Sequence, residues 1–317
     1  MDMSKVCEES FYGRPVYRLV DGDIEIVIDP WHGLSVVSLR FHGRELLWYD
    51  EQRYLSGNTY GIAVLFPTPN RIRDGMFRFD GEIYGPSRMH GFAKDVPFTV
   101  EALDCRTSGV RITGRYQLSV NAPVFHEFPF PLELVVAISL VGGRIRWDYT
   151  VRNTGSTPLG YGFALHPFFV RSHGVALWLG ASQVMDADQS KLPTGTLHDV
   201  VGAGYDLRQG RPVSSLAGLD TVYYRSQGDF NCRISFDEIH LAVDMHASEE
   251  FRHFVVYVPA SGSFFCVEPQ TCSTDCHNLY DRGYREVSNL LLVAPGGERC
   301  GWVDMALRTC SVPGISN

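Results

Sequence analysis

An all-β fold built from antiparallel sheets is predicted by three observations. Apolar and polar residues alternate with a period of two, an Asp-Gly pair separates two short alternating runs, and 31 glycines with 17 prolines punctuate the 317 residues too often for long helices, because an internal proline costs a helix about 3 kcal/mol and a glycine about 1 kcal/mol. In chain order, Ile24, Ile26 and Ile28 alternate with Asp23, Glu25 and Val27, as expected of a strand. Phe77 to Tyr84 places Asp80-Gly81 between two short runs, and this pair suits the two positive φ values of a type I′ hairpin turn. Val110, Ile112, Tyr116, Leu118 and Val120 alternate with Arg111, Thr113, Arg115, Gln117 and Ser119; Ile145, Trp147, Tyr149 and Val151 do so within Arg144 to Arg152; and Cys232, Ile234 and Phe236 follow the same rule. Ser182 to Leu219 is weakly patterned and reads as a long loop, a feature often tied to function. Strand signals run from about residue 16 to 308 with no linker, composition shift or short repeat. One sandwich-like domain over residues 1–317 is therefore expected.

Composition narrows the function. Lysine and arginine number 28 against 36 aspartates and glutamates, a formal charge of −8 with histidines neutral, and no basic face is legible that would hold a nucleic acid. Met1 to Ser10 carries Asp2, Glu8 and Glu9 and lacks an apolar leader pattern. The most apolar stretch, Leu132 to Val141, is interrupted by Glu133 and Ser139 and is too short to span a bilayer. A cytoplasmic protein is expected, with no membrane and no nucleic-acid partner. The eight cysteines, at 7, 105, 232, 266, 272, 276, 300 and 310, are scattered along the chain and are expected as reduced thiols in a protein this large.

Four segments place reactive side chains beside turn formers or prolines: Asn70-Arg71-Ile72-Arg73, Met89-His90-Gly91-Phe92, Leu165-His166-Pro167-Phe168 and Val267-Glu268-Pro269-Gln270. Taken singly, each has an ordinary explanation. A lone arginine is most often a solvated charge, and a histidine between apolar neighbours is most often a satisfied core residue. Glu268 ends the apolar run Phe264 to Val267, so its carboxylate is either paired or functional, since burying it alone is costly. A carboxylate and a histidine together can divide general-base and general-acid work. An ionised glutamate nearby would raise the histidine pKa and keep the imidazolium populated. No dinucleotide-binding or phosphate-loop glycine motif and no nucleophile elbow is present. Cys272, Cys276 and His277 offer ligand types that zinc prefers, but their spacing is not that of a standard zinc site.

In order and spacing, these segments resemble the aldose 1-epimerase, or galactose mutarotase, family. The resemblance rests on Phe66-Pro67-Thr68-Pro69-Asn70-Arg71-Ile72 and Gly75, then Phe79-Asp80-Gly81 and Tyr84, His90-Gly91-Phe92, His166-Pro167-Phe168, Leu192-Pro193-Thr194-Gly195, Gly218-Leu219-Asp220, and Glu268-Pro269-Gln270. The sequence Glu268 to Cys272 is similar to a bacterial branch. The resemblance covers roughly residues 20 to 305 and implies a β-supersandwich with an open sugar cleft. It assigns Glu268 as general base and His166 as general acid and places Arg71, His90 and Asp220 on sugar hydroxyls, and Asn70 of the Asn-Arg-Ile motif is expected among the substrate-binding residues with them. Arg73 carries no assigned role. The sequence departs from the galactose-type pattern where His90-Gly91 is followed by Phe92 instead of a second glycine, and where Phe168 stands in a His-Pro-Tyr-Phe motif.

The implied reaction interconverts the α and β anomers of a free hexose. The base takes the anomeric hydroxyl proton, the acid protonates the ring oxygen, the ring opens, and closure on the other carbonyl face gives the other anomer. No redox change occurs, so no cofactor and no metal is expected; the partner is a small-molecule sugar. Three alternatives accompany this expectation: a carbohydrate-binding or regulatory module without turnover, an epimerase of a phosphorylated or otherwise anionic sugar served by Arg73, Arg88 or Lys94, and a metal-dependent enzyme using Cys272, Cys276 and His277.

Overall fold

A computed structural model of the chain describes residues 4–106, 109–225 and 232–310; residues 1–3, including Asp2 of the segment judged to lack a leader, lie outside the described residues. Two large antiparallel sheets dominate. Across the first, neighbouring strands are Lys5–Phe11, Arg14–Asp21, Ile24–Asp29, Ser35–Phe41, Ile62–Leu65, Ala164–Val170, Phe264–Gln270, His253–Tyr257, Asp220–Tyr224, Gln183–Ala187 and Pro193–Asp199, with the short Arg44–Glu45 paired to Ser35–Phe41. Across the second they are Arg211–Pro212, Val175–Leu179, Cys232–Phe236, Leu241–Ala247, Glu298–Thr309, Arg144–Asn153, Leu132–Val141, Gly109–Leu118 and Thr99–Arg106. The longest helix among the described residues is Cys276–Asp281, six residues, and no helix among them is long and apolar enough to cross a membrane.

The period of two explains how the sheets meet. Ile145, Trp147, Tyr149 and Val151 face inward with essentially no exposure, while Arg144 and Arg152 at the ends of that run point out. Leu165, Phe169, Phe254, Val256, Phe265 and Val267 of the first sheet join the same apolar cluster, which extends from Leu19 to Leu307. Phe169 of the first sheet meets Phe236 of the second with ring centroids 6.2 Å apart. The other face of the first sheet is thereby left free for polar residues. The predicted hairpin forms as Phe77–Phe79 and Glu82–Tyr84, with Asp80 at φ 51° and Gly81 at φ 82°.

Three sequence expectations need correction. Ser182 to Leu219 is not one loop: Gln183–Ala187 and Pro193–Asp199 pair as the outer strands of the first sheet. They evaded the pattern because Pro193–Asp199 is an edge strand with mostly half-exposed or exposed residues, so no clean alternation is required of it. The strands also begin earlier than residue 16, at Lys5, for the same reason. Val120 lies beyond the strand that ends at Leu118 and is exposed. All eight cysteines are free thiols.

Trp147 is fully buried, and its indole N–H has no hydrogen-bond partner among the described residues. Trp147→Ala should lose about 3–5 kcal/mol of unfolding free energy in urea titration through the cavity it leaves. Trp147→Phe should lose much less, since it keeps a ring and removes the unpaired donor.

Candidate active site

The register of three strands brings the residues expected as acid and base together. Ala164 pairs with Gln270 and Phe168 with Cys266, so the position midway between, His166, lies across from Glu268. Both belong to the parity opposite the core-facing Leu165, Phe169, Phe265 and Val267, and both therefore project from the outer face of the first sheet. His166 Nε2 is 3.3 Å from Glu268 Oε1. Both residues are nonetheless buried, at 6% and 2% exposure. On the far side of Glu268, Val255 pairs with it and also with Val222, which places Asp220, two residues along, on the same face.

Loops supply the remaining groups. Asn70 and His90 both adopt left-handed backbone conformations, at φ 65° and 71°, and the His90 N–H donates to the Asn70 carbonyl at 2.9 Å. The Asn70 side-chain oxygen accepts from the Arg71 N–H at 2.8 Å and from its guanidinium at 3.2 Å. Arg71 in turn donates to Asp220 Oδ2 at 3.3 Å. The His90 ring stands edge-on to the His166 ring, centroids 5.1 Å apart. Every residue singled out in the sequence, namely Asn70, Arg71, His90, His166, Asp220 and Glu268, thus belongs to one chain of contacts around the cleft. Asn70 is buried and its side-chain oxygen is committed to Arg71, so it holds the arginine in place.

Electrostatics run opposite to the sequence expectation. Burial is the largest influence on Glu268 and pushes its pKa up to about 8, with Asp220 adding to the rise while Gln270 and Arg71 oppose it. Burial likewise holds His166 well below its ordinary value, and His90 and Arg53 add to that effect. The imidazolium expected from a neighbouring carboxylate is therefore disfavoured, and the carboxyl and imidazole rest near neutral pH as an uncharged pair. The depth of the site was not readable from composition, and it reverses the balance. His90 is also kept neutral, its pKa lowered to about 3 by burial and then by Lys94 and Arg71.

Several site residues were not predicted. Gln270, on the same strand face as Glu268, donates its amide to Glu268 Oε2 at 3.0 Å; the Glu-Pro-Gln motif with a period of two was the available signal. Phe168 stacks on His166 at 4.5 Å, ring planes 5° apart, and Arg53 lies 5.3 Å over the Phe168 ring. Phe92, where the family pattern has glycine, turns into the core against Phe66 and Tyr116 and leaves the cleft untouched. Cys266, expected as a core thiol, lies on the site face: one ligand atom each from His166, Cys266 and Glu268 all fall within 4.8 Å of one another. That is the one such trio among the described residues. Cys272, Cys276 and His277 form none among the described residues; His277 Nε2 is engaged with the Gly160 carbonyl at 2.8 Å and its Nδ1 lies 3.5 Å from Cys276 Sγ.

Gly91 fixes the His90 turn. At φ 69°, a Cβ there would lie 2.2 Å from the Phe66 carbonyl oxygen, which already accepts from Ala93 N–H. Gly81, at φ 82°, has nothing within 4 Å of the equivalent position. Gly91→Ala should therefore lose on the order of 2 kcal/mol or more in chemical denaturation, clearly exceeding the loss in Gly81→Ala, where only the backbone conformation resists.

Known proteins share this architecture. The sequence model described as Aldose 1-epimerase matches residues 15–283. The galactose mutarotase of Bos taurus is 24% identical over 271 residues, covering 78% of this chain and 76% of its own. The maltose epimerase of Levilactobacillus brevis is 25% identical over 207 residues, covering 61% and 58%. A galactose mutarotase-like protein from Clostridium acetobutylicum superposes with a TM-score of 0.86 at 20% identity, covering 97% of this chain and 99% of that one. With the fold, the strand-borne carboxyl and imidazole, and a family match over most of its length, the chain belongs to the aldose 1-epimerase family.

Proposed function

We propose that the chain is an isomerase that interconverts the α and β anomers of a free sugar, with Glu268 and His166 moving the protons. The observation that carries this is the 3.3 Å approach of His166 Nε2 to Glu268 Oε1 on the open face of the sheet. The pair rests holding one proton on Glu268, and that proton first passes to His166 across their contact to give carboxylate and imidazolium. The carboxylate takes the O1 proton and the imidazolium gives its own to the ring oxygen, leaving a carboxylic acid, a neutral imidazole and the open-chain aldehyde. Burial favours that uncharged pair both at rest and after ring opening, so its cost falls on forming the ion pair and is recovered when the ring opens. Closure on the opposite carbonyl face reverses both transfers. Arg71, His90 and Asp220 hold hydroxyl groups through directed hydrogen bonds, and Asn70 and Gln270 fix the arginine and the carboxyl.

A neutral substrate is favoured over an anionic one. Arg73 is bound to Asp188 at 2.8 Å, Arg88 to Asp95 at 2.9 Å and to Glu127, and Lys94 to Asp95 at 2.8 Å, so the cations considered for a phosphate already face carboxylates. A sugar-binding module without turnover has no use for a buried acid–base pair, which costs stability to maintain. The apolar cluster running from Leu19 to Leu307 supports one domain, and the four exposed free cysteines, 7, 105, 300 and 310, support a reducing compartment such as the cytoplasm.

Glu268→Gln keeps the shape of the side chain and should lower kcat for α-D-glucose or α-D-galactose mutarotation, followed by polarimetry, by about 10²–10⁴-fold with no fall in melting temperature. A variant as fast as wild type would remove Glu268 from the chemistry. The pH profile follows from the one proton the pair must hold. Activity should fall on the alkaline side near pH 8, where Glu268 loses its proton and no acid is left. The acid limb should lie well below 6.5, where His166 gains a second one; an acid limb at or above 6.5 would contradict the assignment.

A further inference from the structure

The segment Cys272 to His277 carries neither of the proton-transfer residues, yet it continues directly from the strand that bears Glu268. Every residue from Gln270 to Asp275 is 3% exposed or less. Thr271 locks the segment to Phe163, whose N–H donates to the Thr271 hydroxyl oxygen at 2.8 Å and whose carbonyl accepts from the Thr271 N–H at 2.9 Å. The path from the Glu268 strand to Asp275 is therefore packed as tightly as the strand itself.

Asp275 stands immediately before the short helix Cys276–Asp281, where an aspartate ordinarily caps the helix with its side chain. It makes no such bond, and its backbone is left-handed, at φ 56° and ψ 33°, outside the extended region that capping residues favour. Its bonds go to another segment. The Asp275 N–H donates to the Arg71 carbonyl at 3.1 Å, and the Arg73 N–H donates to Asp275 Oδ1 at 3.1 Å; the Asn278 amide donates to the same oxygen at 2.7 Å and keeps it in place. One residue thus grips the chain on either side of Ile72.

That grip matters because Arg71 lies in neither large sheet, and Asn70, Asp74 and Gly75 around it all take left-handed conformations, at φ 65°, 56° and 69°. The Asn70 side chain orients the guanidinium relative to its own backbone and moves with that backbone. Bonds from another element fix where the backbone stands relative to Glu268, and Asp275 supplies two of them, at Arg71 and Arg73. We propose that Asp275 is a positioning residue: it ties the loop bearing Arg71 to the strand bearing Glu268 and so sets the distance between hydroxyl recognition and proton transfer. This rests on the mutarotase function above and adds a residue to its machinery.

The test follows mutarotation of α-D-glucose and α-D-galactose by polarimetry in wild type, Asp275→Gly and Asp275→Asn. Glycine takes up the left-handed backbone freely and removes the acceptor. Asparagine keeps the accepting oxygen and alters the second one, which has no hydrogen-bond partner among the described residues. Asp275→Gly should raise KM about tenfold, the effect of one lost hydrogen bond, with kcat within about threefold of wild type, because His166 and Glu268 keep their strand register. Asp275→Asn should return KM to within about twofold of wild type. Placed on Arg71→Ala, Asp275→Gly should add less than about twofold, since the carboxylate acts through the arginine. Should Asp275→Gly fail to fold, Arg73→Pro removes the donor instead, at the first position of a 3-10 turn that follows an extended Ile72, where proline is accepted; it should raise KM in the same way, while Arg73→Ala, which keeps the N–H, does not. The proposal is overturned if KM is unchanged in Asp275→Gly or Arg73→Pro, if kcat falls at constant KM, if asparagine is no better than glycine, or if the full tenfold persists on Arg71→Ala. If wild type accelerates neither sugar, the mutarotase function itself fails and the role of Asp275 with it.

Discussion

A carboxyl group buried as deeply as Glu268 must be held by a proton or by a counter-charge, and the choice between them governs the rest of the site. The cation that acts on Glu268 is Arg71, whose pull on the Glu268 pKa is opposed by the push of Asp220. Because Arg71 and Asp220 are bonded to each other, their effects on the glutamate largely offset and burial decides. Were Arg71 unpaired, its charge would hold Glu268 ionised and make it a poorer proton acceptor near neutrality. The pairing that orients the arginine for recognition therefore also preserves the basicity of the carboxylate.

Strands and loops divide the work. His166, Glu268 and Gln270 stand on adjacent strands of one sheet, where the ladder register fixes the distance between acid and base and neither can drift without breaking backbone pairing. Arg71 and His90 come from the segments after Ile62–Leu65, held by left-handed turns at Asn70 and His90 and by the tight approach of Gly91 to Phe66. The proton-transfer geometry is thus set by the stiffest part of the molecule. The groups proposed to meet hydroxyls are set by turns whose length and sequence can vary around it.

The same division explains what was legible in the sequence. Strands with one face in the core, such as Arg144–Asn153, announce themselves by alternation, because each inward position must be apolar. Lys5–Phe11, Gln183–Ala187 and Pro193–Asp199 lie at or near the ends of the first sheet and carry no such requirement. The candidate site was legible as residue types in order, since His166 and Glu268 interrupt apolar strands where a polar side chain needs a reason. Their register was not: only the pairing of Ala164 with Gln270 and of Phe168 with Cys266 places the two opposite each other. Depth was not legible either, and it is depth that turned the expected imidazolium into a neutral ring. The support that Asn70 gives Arg71 was not legible, because an acceptor aimed at the next residue's backbone looks the same in sequence as one aimed at a ligand.

Cys266 gives the site a chemical hazard and its remedy. Ring opening would release an aldehyde within reach of this thiol, and a thiolate adds to aldehydes to form hemithioacetals, which would trap the sugar in its open form. Burial, with the neighbouring Glu268 adding to it, raises the Cys266 pKa well above the ordinary thiol value, so the nucleophilic form is scarcely populated. The depth that withholds charge from the acid–base pair also silences the sulfur beside it, and the aldehyde is left to be recaptured by its own hydroxyl group.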